Sequence, residues 1–366
     1  MPSGGESFSS AGIASRAVGY YRTRVISLVS RSVEFPGCRY QLGSYDFLNL
    51  LGTFTHRAAK HGNLIRRGLV IWMHTRLSRR LKQRIQAFRP QAIIATQMMP
   101  AAVLSHLKRR DEVTIPAIGV LTDYGVHDIW LRSAMDYFCV ATSAMASELR
   151  AHGVPKSAIA VTGIPMLNGF RHPVAQQEAR AQLGVPHAAK TVLVTGGGCG
   201  IGAVEALEPI LQCELDCELL VAAGGQTDRH RLLDLSGNYP GRLRIFDDDV
   251  PMPMLVRAAD VVVGKPGGLS VSEALACGRP FLAVCSLGGQ ESFNVAFLEA
   301  NGLGEAVDSE QLISRLRQWL ADPLLLAQLQ AKAWSYGWRE GAGAIAGSVL
   351  QTVMPQALGE HKGNNP

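Results

Sequence analysis

Residues Asp260 to Asn294, ADVVVGKPGGLSVSEALACGRPFLAVCSLGGQESFN, constrain the fold of this chain more than any other stretch. Val261, Val262 and Val263 predict a buried strand, because a short apolar run closed by glycine suits a strand better than a helix. Gly264 to Gly268 predict a turn, and a helix carrying Ser272 and Glu273 follows. Phe281 to Val284 predict a second strand, and a polar loop ends in Gln290, Glu291 and Asn294. Such a βαβ unit sets its turns at the carboxyl ends of parallel strands, where open α/β sheets bind ligands. Glycines there let backbone N–H groups close on a phosphate, and the helix N-terminus adds the positive end of its dipole. Glu273, one turn into the helix, is placed to accept from a ribose diol. An ordinary strand-turn-helix accounts for the glycines equally well; the combination with the later polar loop is more specific than the glycines alone.

The same alternation recurs upstream. RPQAIIATQ, IPAIGVLTD, DYFCVAT and IAVTGIP read as strands, with PAAVLSHLKRR and MASELRAHG as helices between them. Strands and helices alternating at this spacing predict a doubly wound parallel sheet. LTDYGVHDIW sets Asp123, His127 and Trp130 just beyond one strand, where Asp or His facing a cleft suits proton transfer. A second glycine run, TVLVTGGGCGIG, includes Gly197 and Gly198 and opens another strand-turn-helix. A dinucleotide site would need an acidic residue at the end of the next strand. That strand, CELLVAAGG, ends in alanine and glycine, which weakens the dinucleotide reading.

The 366 residues suffice for two domains, each with its own core. Seven scattered cysteines without a CxxC pattern read as reduced thiols rather than metal ligands, with Cys213 and Cys217 expected on one helix face. MPSGGESFSS lacks the features of a signal peptide, and no uncharged apolar run is long enough to span a membrane. The net charge of +6 is unevenly distributed: no acidic residue lies between Asp46 and Asp111, while basic residues from Arg57 to Arg89 interleave with Leu64, Ile65, Trp72, Leu77 and Leu81. A solvated face is the default for such a block, but the interleaved apolar residues suggest an amphipathic surface helix on an anionic membrane. Nucleic-acid binding would need a recognition motif that the charges lack. The expected location is cytoplasmic, peripheral to the inner face of a membrane.

KPGGLSVSEALACGRP followed by GGQESFN resembles the donor half of the family that joins monogalactosyldiacylglycerol synthases and processive diacylglycerol glucosyltransferases to the peptidoglycan glycosyltransferase that uses UDP-N-acetylglucosamine. TDYGVHDIW resembles a motif of the lipid branch, and VTGIPM the segment that closes its amino domain. The resemblance implies the α/β fold called GT-B, two Rossmann-like domains facing one another across a cleft. It implies an acceptor and membrane domain over 1–165 whose first strand is missing, and a linker over 166–190. A UDP-sugar domain over 191–331 and a C-terminal helix and tail over 332–366 would follow. Glu273 would hold the ribose of UDP, and Gln290, Glu291 and Asn294 the sugar. The turn at Val250 would give backbone contacts to the uracil. Gly197, Gly198, Lys265, Gly267, Gly268, Leu269 and Ser272 would complete the donor site, with glycine N–H groups and Lys265 meeting the diphosphate. The family's glycine-loop histidine is unmatched and its position would hold Glu6, so Asp123, His127 and Glu6 are the candidates for the base, with Asp123 or His127 favoured. Asp247 to Asp249 read as a solvated turn, and no metal or cofactor is expected beyond the UDP-sugar co-substrate. The implied activity is inverting transfer of hexose from UDP-glucose or UDP-galactose to diacylglycerol or another lipid at an anionic membrane. The alternative is an inactive UDP-sugar sensor or transferase subunit.

Overall fold

Short runs of β-branched and small apolar residues build two separate parallel sheets. The computed structural model describes residues 25–28, 77–196, 203–213, 215–223, 229–239, 242–246, 250–284 and 289–353. Among these, residues up to Thr122, Val126–Thr162 and those from Ala342 onward form one unit, while Asp123–Gly125 and Gly163–Gly341 form a second.

The first unit holds a five-stranded sheet ordered β1 (Val25–Leu28), β2 (Ala92–Ala95), β3 (Ala117–Val120), β4 (Tyr137–Val140) and β5 (Ile159–Val161), all parallel. β1 is formed by the VISLV run. Strands β2 and β3 are buried at every residue, as a sheet covered on both faces requires. The connecting helices are α1 (residues 77–88), α2 (Met98–Lys108), α3 (Asp128–Leu131) and α4 (Ser143–Ala151). α4 begins at Thr142, whose hydroxyl accepts from the Met145 N–H and so satisfies one of the unpaired donors of a helix start.

In the second unit, α5 (Gln176–Leu183) precedes β6 (Thr191–Thr195), α6 (Ala203–Gln212), β7 (Glu218–Ala222), α7 (Arg229–Asn238) and β8 (Leu243–Phe246). α8 (Met252–Ala258), β9 (Val261–Gly264), α9 (Gly268–Ala276), β10 (Phe281–Ala283) and α10 (Gln290–Ala300) follow. β11 (Gly304–Ala306), α11 (Ser309–Ala321) and α12 (Pro323–Tyr336) complete it. The six strands are parallel in the order β11-β10-β9-β6-β7-β8. The chain therefore starts in the middle, winds out through β7 and β8, and returns to wind the other way from β9. The reversal falls between β6 and β9, and the crevice beyond their carboxyl ends is where such a sheet takes a ligand. These strands approach so closely there that a Cβ on Gly264 would lie 2.3 Å from the Thr195 carbonyl oxygen, which excludes any other residue.

The segment 166–190, expected as a linker, is built into this second unit. Asp260 accepts from Arg180 Nη2 at 2.9 Å, from Gln176 Nε2 at 3.0 Å and from the Thr191 N–H at 2.9 Å. Arg180 also donates to the carbonyls of Ala258 and His187. The polar residues that suggested a linker are thus the partners of a nearly buried carboxylate. Cys213 and Cys217 do not share a helix face, because α6 ends at Gln212 and the chain turns toward β7; both thiols are free. α13 (Gly341–Val353) carries Ile345 and Val349 into the first unit's core with Ala92, Ile94, Ile118, Val120 and Cys139. Trp334 and Trp338 belong to the second unit and are about half exposed, Trp334 beneath the Arg339 guanidinium at 3.4 Å.

Candidate active site

The turn after β9 leads into α9, whose N-cap is Gly267, and no side chain caps it. A helix start leaves its first N–H groups without helical partners, here those of Gly268, Leu269 and Ser270. Leu269 is exposed beside them. One turn on, Glu273 makes no side-chain hydrogen bond or ion pair with a described residue, and burial alone raises its pKa from 4.5 to about 8. A partly buried carboxyl with no partner among the described residues is costly, and a ligand with hydroxyl donors would relieve that cost. Ser272 faces inward instead: its hydroxyl donates to the Gly268 carbonyl at 2.7 Å and accepts from the Tyr124 phenol at 2.9 Å.

Lys265 and Glu291 form a buried ion pair at 2.7 Å. Lys265 was expected to supply a free positive charge for a diphosphate; with Glu291 against it the pair is neutral as a whole. Attraction for an anion at this turn then falls more heavily on the backbone N–H groups and the helix dipole.

α10 presents one face, at the i, i+3, i+4, i+7 spacing of Gln290, Phe293, Asn294 and Phe297, to the tripeptide Asp123–Gly125. Gln290 Nε2 donates to Asp123 Oδ2 at 3.0 Å. Asn294, fully buried, donates from Nδ2 to Asp123 Oδ1 and to the Pro266 carbonyl, each at 2.9 Å, and accepts from the Tyr124 N–H at 2.8 Å. Phe293 lies over Gly125, where an added Cβ would come within 2.3 Å of its ring. Tyr124 stacks on Phe297. Its phenol is pushed up to about 12 by burial, partly offset by the Ser272 hydrogen bond, and is neutral at ordinary pH.

His127 has a different place. Its Nδ1 accepts from the Ile129 N–H at 3.2 Å and caps α3. A neutral imidazole with Nδ1 as acceptor carries its proton on Nε2, so the ring offers a donor outward. That arrangement disfavours His127 as the base. Trp130 is a core residue, packed 3.0 Å from where a Cβ on Gly119 would stand. Val250 is partly buried against the core cluster that includes Leu255 and Val262. Glu6, Gly197, Gly198 and Asp247 to Asp249 lie outside the described residues.

This chain's residues 20–166 match the model of the monogalactosyldiacylglycerol (MGDG) synthase family. A processive diacylglycerol beta-glucosyltransferase of Bacillus licheniformis is 29% identical over 278 residues, 75% of this chain and 72% of its own. Its namesake from Bacillus cereus strain AH187 is 28% identical over 275 residues, 74% and 70% of the two chains. Among solved structures, MurG of Acinetobacter baumannii is similar with a TM-score of 0.55 at 17% identity, covering 75% of this chain and 77% of its own. MnaA of S. aureus, solved with UDP, gives 0.59 at 15%, covering 77% and 81%. These likenesses bear on the fold, which is the GT-B type.

Reading the sequence singled out Gln290, Asn294 and Asp123 separately but not their mutual contact. It also passed over Tyr124, whose only local signal is its position between Asp123 and Gly125. The structure brings Asp123, Gln290 and Asn294 together, and joins Lys265 to Glu291. Through its bond to the Pro266 carbonyl, Asn294 also touches the turn that precedes Gly267.

Proposed function

We propose that the protein moves a hexose from UDP-glucose or UDP-galactose to the hydroxyl of diacylglycerol or a related lipid alcohol at a membrane surface, with inversion and without a metal ion. The observation that carries this reading is Glu273: a carboxyl with no hydrogen-bond or ion-pair partner among the described residues, raised to about 8 by burial, one turn inside a helix whose N-terminus has no side-chain cap. The spacing suits a ribose diol on Glu273 with the diphosphate at the N–H groups of Gly268, Leu269 and Ser270. The nature of the acceptor is taken from the relatives, which are named as diacylglycerol glucosyltransferases.

In this reading the acceptor oxygen attacks the anomeric carbon as the bond from that carbon to the diphosphate oxygen breaks. The acceptor proton passes to the Asp123 carboxylate, and UDP departs with the bonding electrons. Negative charge grows on the diphosphate, and fixed backbone donors stabilise it most where water is excluded. A single in-line displacement inverts the anomeric centre. α1 supports the membrane assignment: Arg79, Arg80, Arg84, Phe88 and Arg89 are exposed, while Ile85 is buried. Basic side chains with an exposed aromatic suit an anionic bilayer surface. No helix among the described residues is long and apolar enough to cross a membrane.

The test is incubation of the purified protein with anionic vesicles containing diacylglycerol and radiolabelled UDP-glucose or UDP-galactose, followed by lipid extraction. Label in the lipid phase is the expected result. UDP binding with no labelled lipid from either donor would replace this reading with that of a nucleotide-sugar sensor.

A further inference from the structure

Gln97 lies just past the carboxyl end of β2, at the N-cap position of α2, yet its side chain does not cap that helix. Its amide oxygen is buried and meets no hydrogen-bond partner among the described residues, although the residue as a whole is partly exposed. Folded proteins rarely leave a buried polar atom in that state, and each case calls for a cause. The Thr122 hydroxyl, just past the end of the neighbouring β3, is already engaged: it donates to the Thr96 carbonyl at 3.3 Å. That bond ties the two strand ends, with Gln97 one residue beyond Thr96 and Asp123 one residue beyond Thr122. Met98, Met99 and Pro100, which follow Gln97, are partly exposed and bring no side-chain hydrogen-bond donor. What the oxygen lacks is a donor, and the carboxyl ends of parallel strands are where such a sheet takes a ligand.

Diacylglycerol has no donor to spare for it. That lipid carries a single hydroxyl, whose proton goes to Asp123 in the proposed reaction. A lipid that already bears a hexose has several hydroxyls, one to react and others to donate. A carboxamide suits them, because it accepts through oxygen and donates through nitrogen, and its terminal torsion is soft enough to turn either atom outward.

We infer that Gln97 binds the hexose of a monohexosyl lipid and so selects for a second transfer, in which the protein extends its own product. The inference rests on the proposed transferase reading. A hydroxyl of the bound hexose attacks the anomeric carbon of a second UDP-hexose as the bond to the diphosphate oxygen breaks; its proton passes to Asp123, and UDP leaves with the bonding electrons. Gln97 accepts from a hydroxyl that does not react, which leaves Asp123 to the one that does.

The experiment uses the full chain with Gln97→Met, which keeps the length of the side chain without its amide, and Gln97→Glu, which keeps acceptor oxygens. Vesicles carry either diacylglycerol or hexosyl-diacylglycerol, and kcat/KM is measured for each acceptor with UDP-glucose and UDP-galactose. Wild type is expected to extend hexosyl-diacylglycerol. The ratio of kcat/KM for that lipid to kcat/KM for diacylglycerol should fall about 3- to 10-fold in Gln97→Met, as for one lost neutral hydrogen bond, and by less in Gln97→Glu. If Gln97→Met does not fold, Gln97→Ala carries the same measurement. A ratio that is the same in wild type and in the variant without the amide overturns the inference and leaves the transferase reading intact. So does a wild-type protein that glycosylates diacylglycerol but never hexosyl-diacylglycerol. A wild-type protein that transfers hexose to neither lipid overturns the transferase reading, and this inference with it.

Discussion

The ring of Tyr124 lies flat on that of Phe297, with centroids 3.9 Å apart and planes 9° from parallel. Tyr124 is flanked by residues of the first unit beyond Asp123 and Gly125, yet its ring, hydroxyl and amide all meet second-unit partners. Stacking of two such partly buried rings is worth about 1 kcal/mol beyond the area it buries. Tyr124→Phe keeps the stack and removes the hydrogen bond to Ser272. It is expected to lower stability by about 1 kcal/mol, whereas Tyr124→Ala should cost about 3 kcal/mol or more. Thermal unfolding of the two variants checks the difference. Because the phenol stays neutral until about pH 12, the Tyr124→Phe loss should be the same across the working pH range.

Glu273 gives a pH dependence of definite sign. Its folded pKa, about 8, lies above the ordinary 4.5. The folded state therefore binds a proton that the unfolded chain releases, and the associated stability is complete below the lower value and is lost as pH rises to the upper one. Wild type should lose up to about 1.4 kcal/mol per pH unit in that window from this group, and Glu273→Gln should not. Melting temperatures of the two proteins without nucleotide, compared between about pH 5 and pH 9, would contradict this if they stay parallel.

UDP binding should reverse that penalty. In the proposed pose, ribose hydroxyls donating to Glu273 would favour its ionised form, so binding near neutral pH should release a proton, seen as a buffer-dependent heat in calorimetry. Removing the carboxyl in Glu273→Ala should weaken UDP by about 10- to 100-fold, as expected for hydrogen bonds to a charged group.

The Lys265–Glu291 pair predicts strong non-additivity. Lys265→Met leaves a carboxylate buried without its ion-pair partner, and Glu291→Gln leaves an ammonium in the same state. Each should destabilise by about 3 kcal/mol or more, and Lys265→Met combined with Glu291→Leu by clearly less than the sum. Denaturant unfolding of the four proteins forms the cycle.

Gly264→Ala should fail in a different way. The new methyl would sit 2.3 Å from a backbone carbonyl that cannot rotate aside, so β9 must shift away from β6. The expected loss is about 3 kcal/mol, the upper part of the range for overpacking, and UDP affinity should fall with it if the turn that begins at the next residue takes the diphosphate, as proposed.

The βαβ unit of the opening stretch was legible because its signals are local. Val261 to Val263 are too short and too branched for a helix, and Gly264 to Gly268 punctuate them as a turn. What was not legible depends on distance along the chain. Asp123 and Asn294 stand 171 residues apart, and nothing in either neighbourhood marks the other as its partner. Composition misled at residues 166–190, where Gln176 and Arg180 are polar because they serve Asp260 rather than water. His127 looked suited to proton transfer beside a strand end; only the folded loop gives its Nδ1 to the Ile129 amide.

α13 has a consequence for anyone recombining this protein with its relatives. The chain leaves the first unit at Thr162 and comes back only at Ala342, bringing Ile345 and Val349 to a core begun some 250 residues earlier at Ala92. A chimera joined at one crossover would therefore inherit a mismatched final helix. Exchanging the second unit requires two junctions, and the native α13 must travel with the amino-terminal sheet it completes.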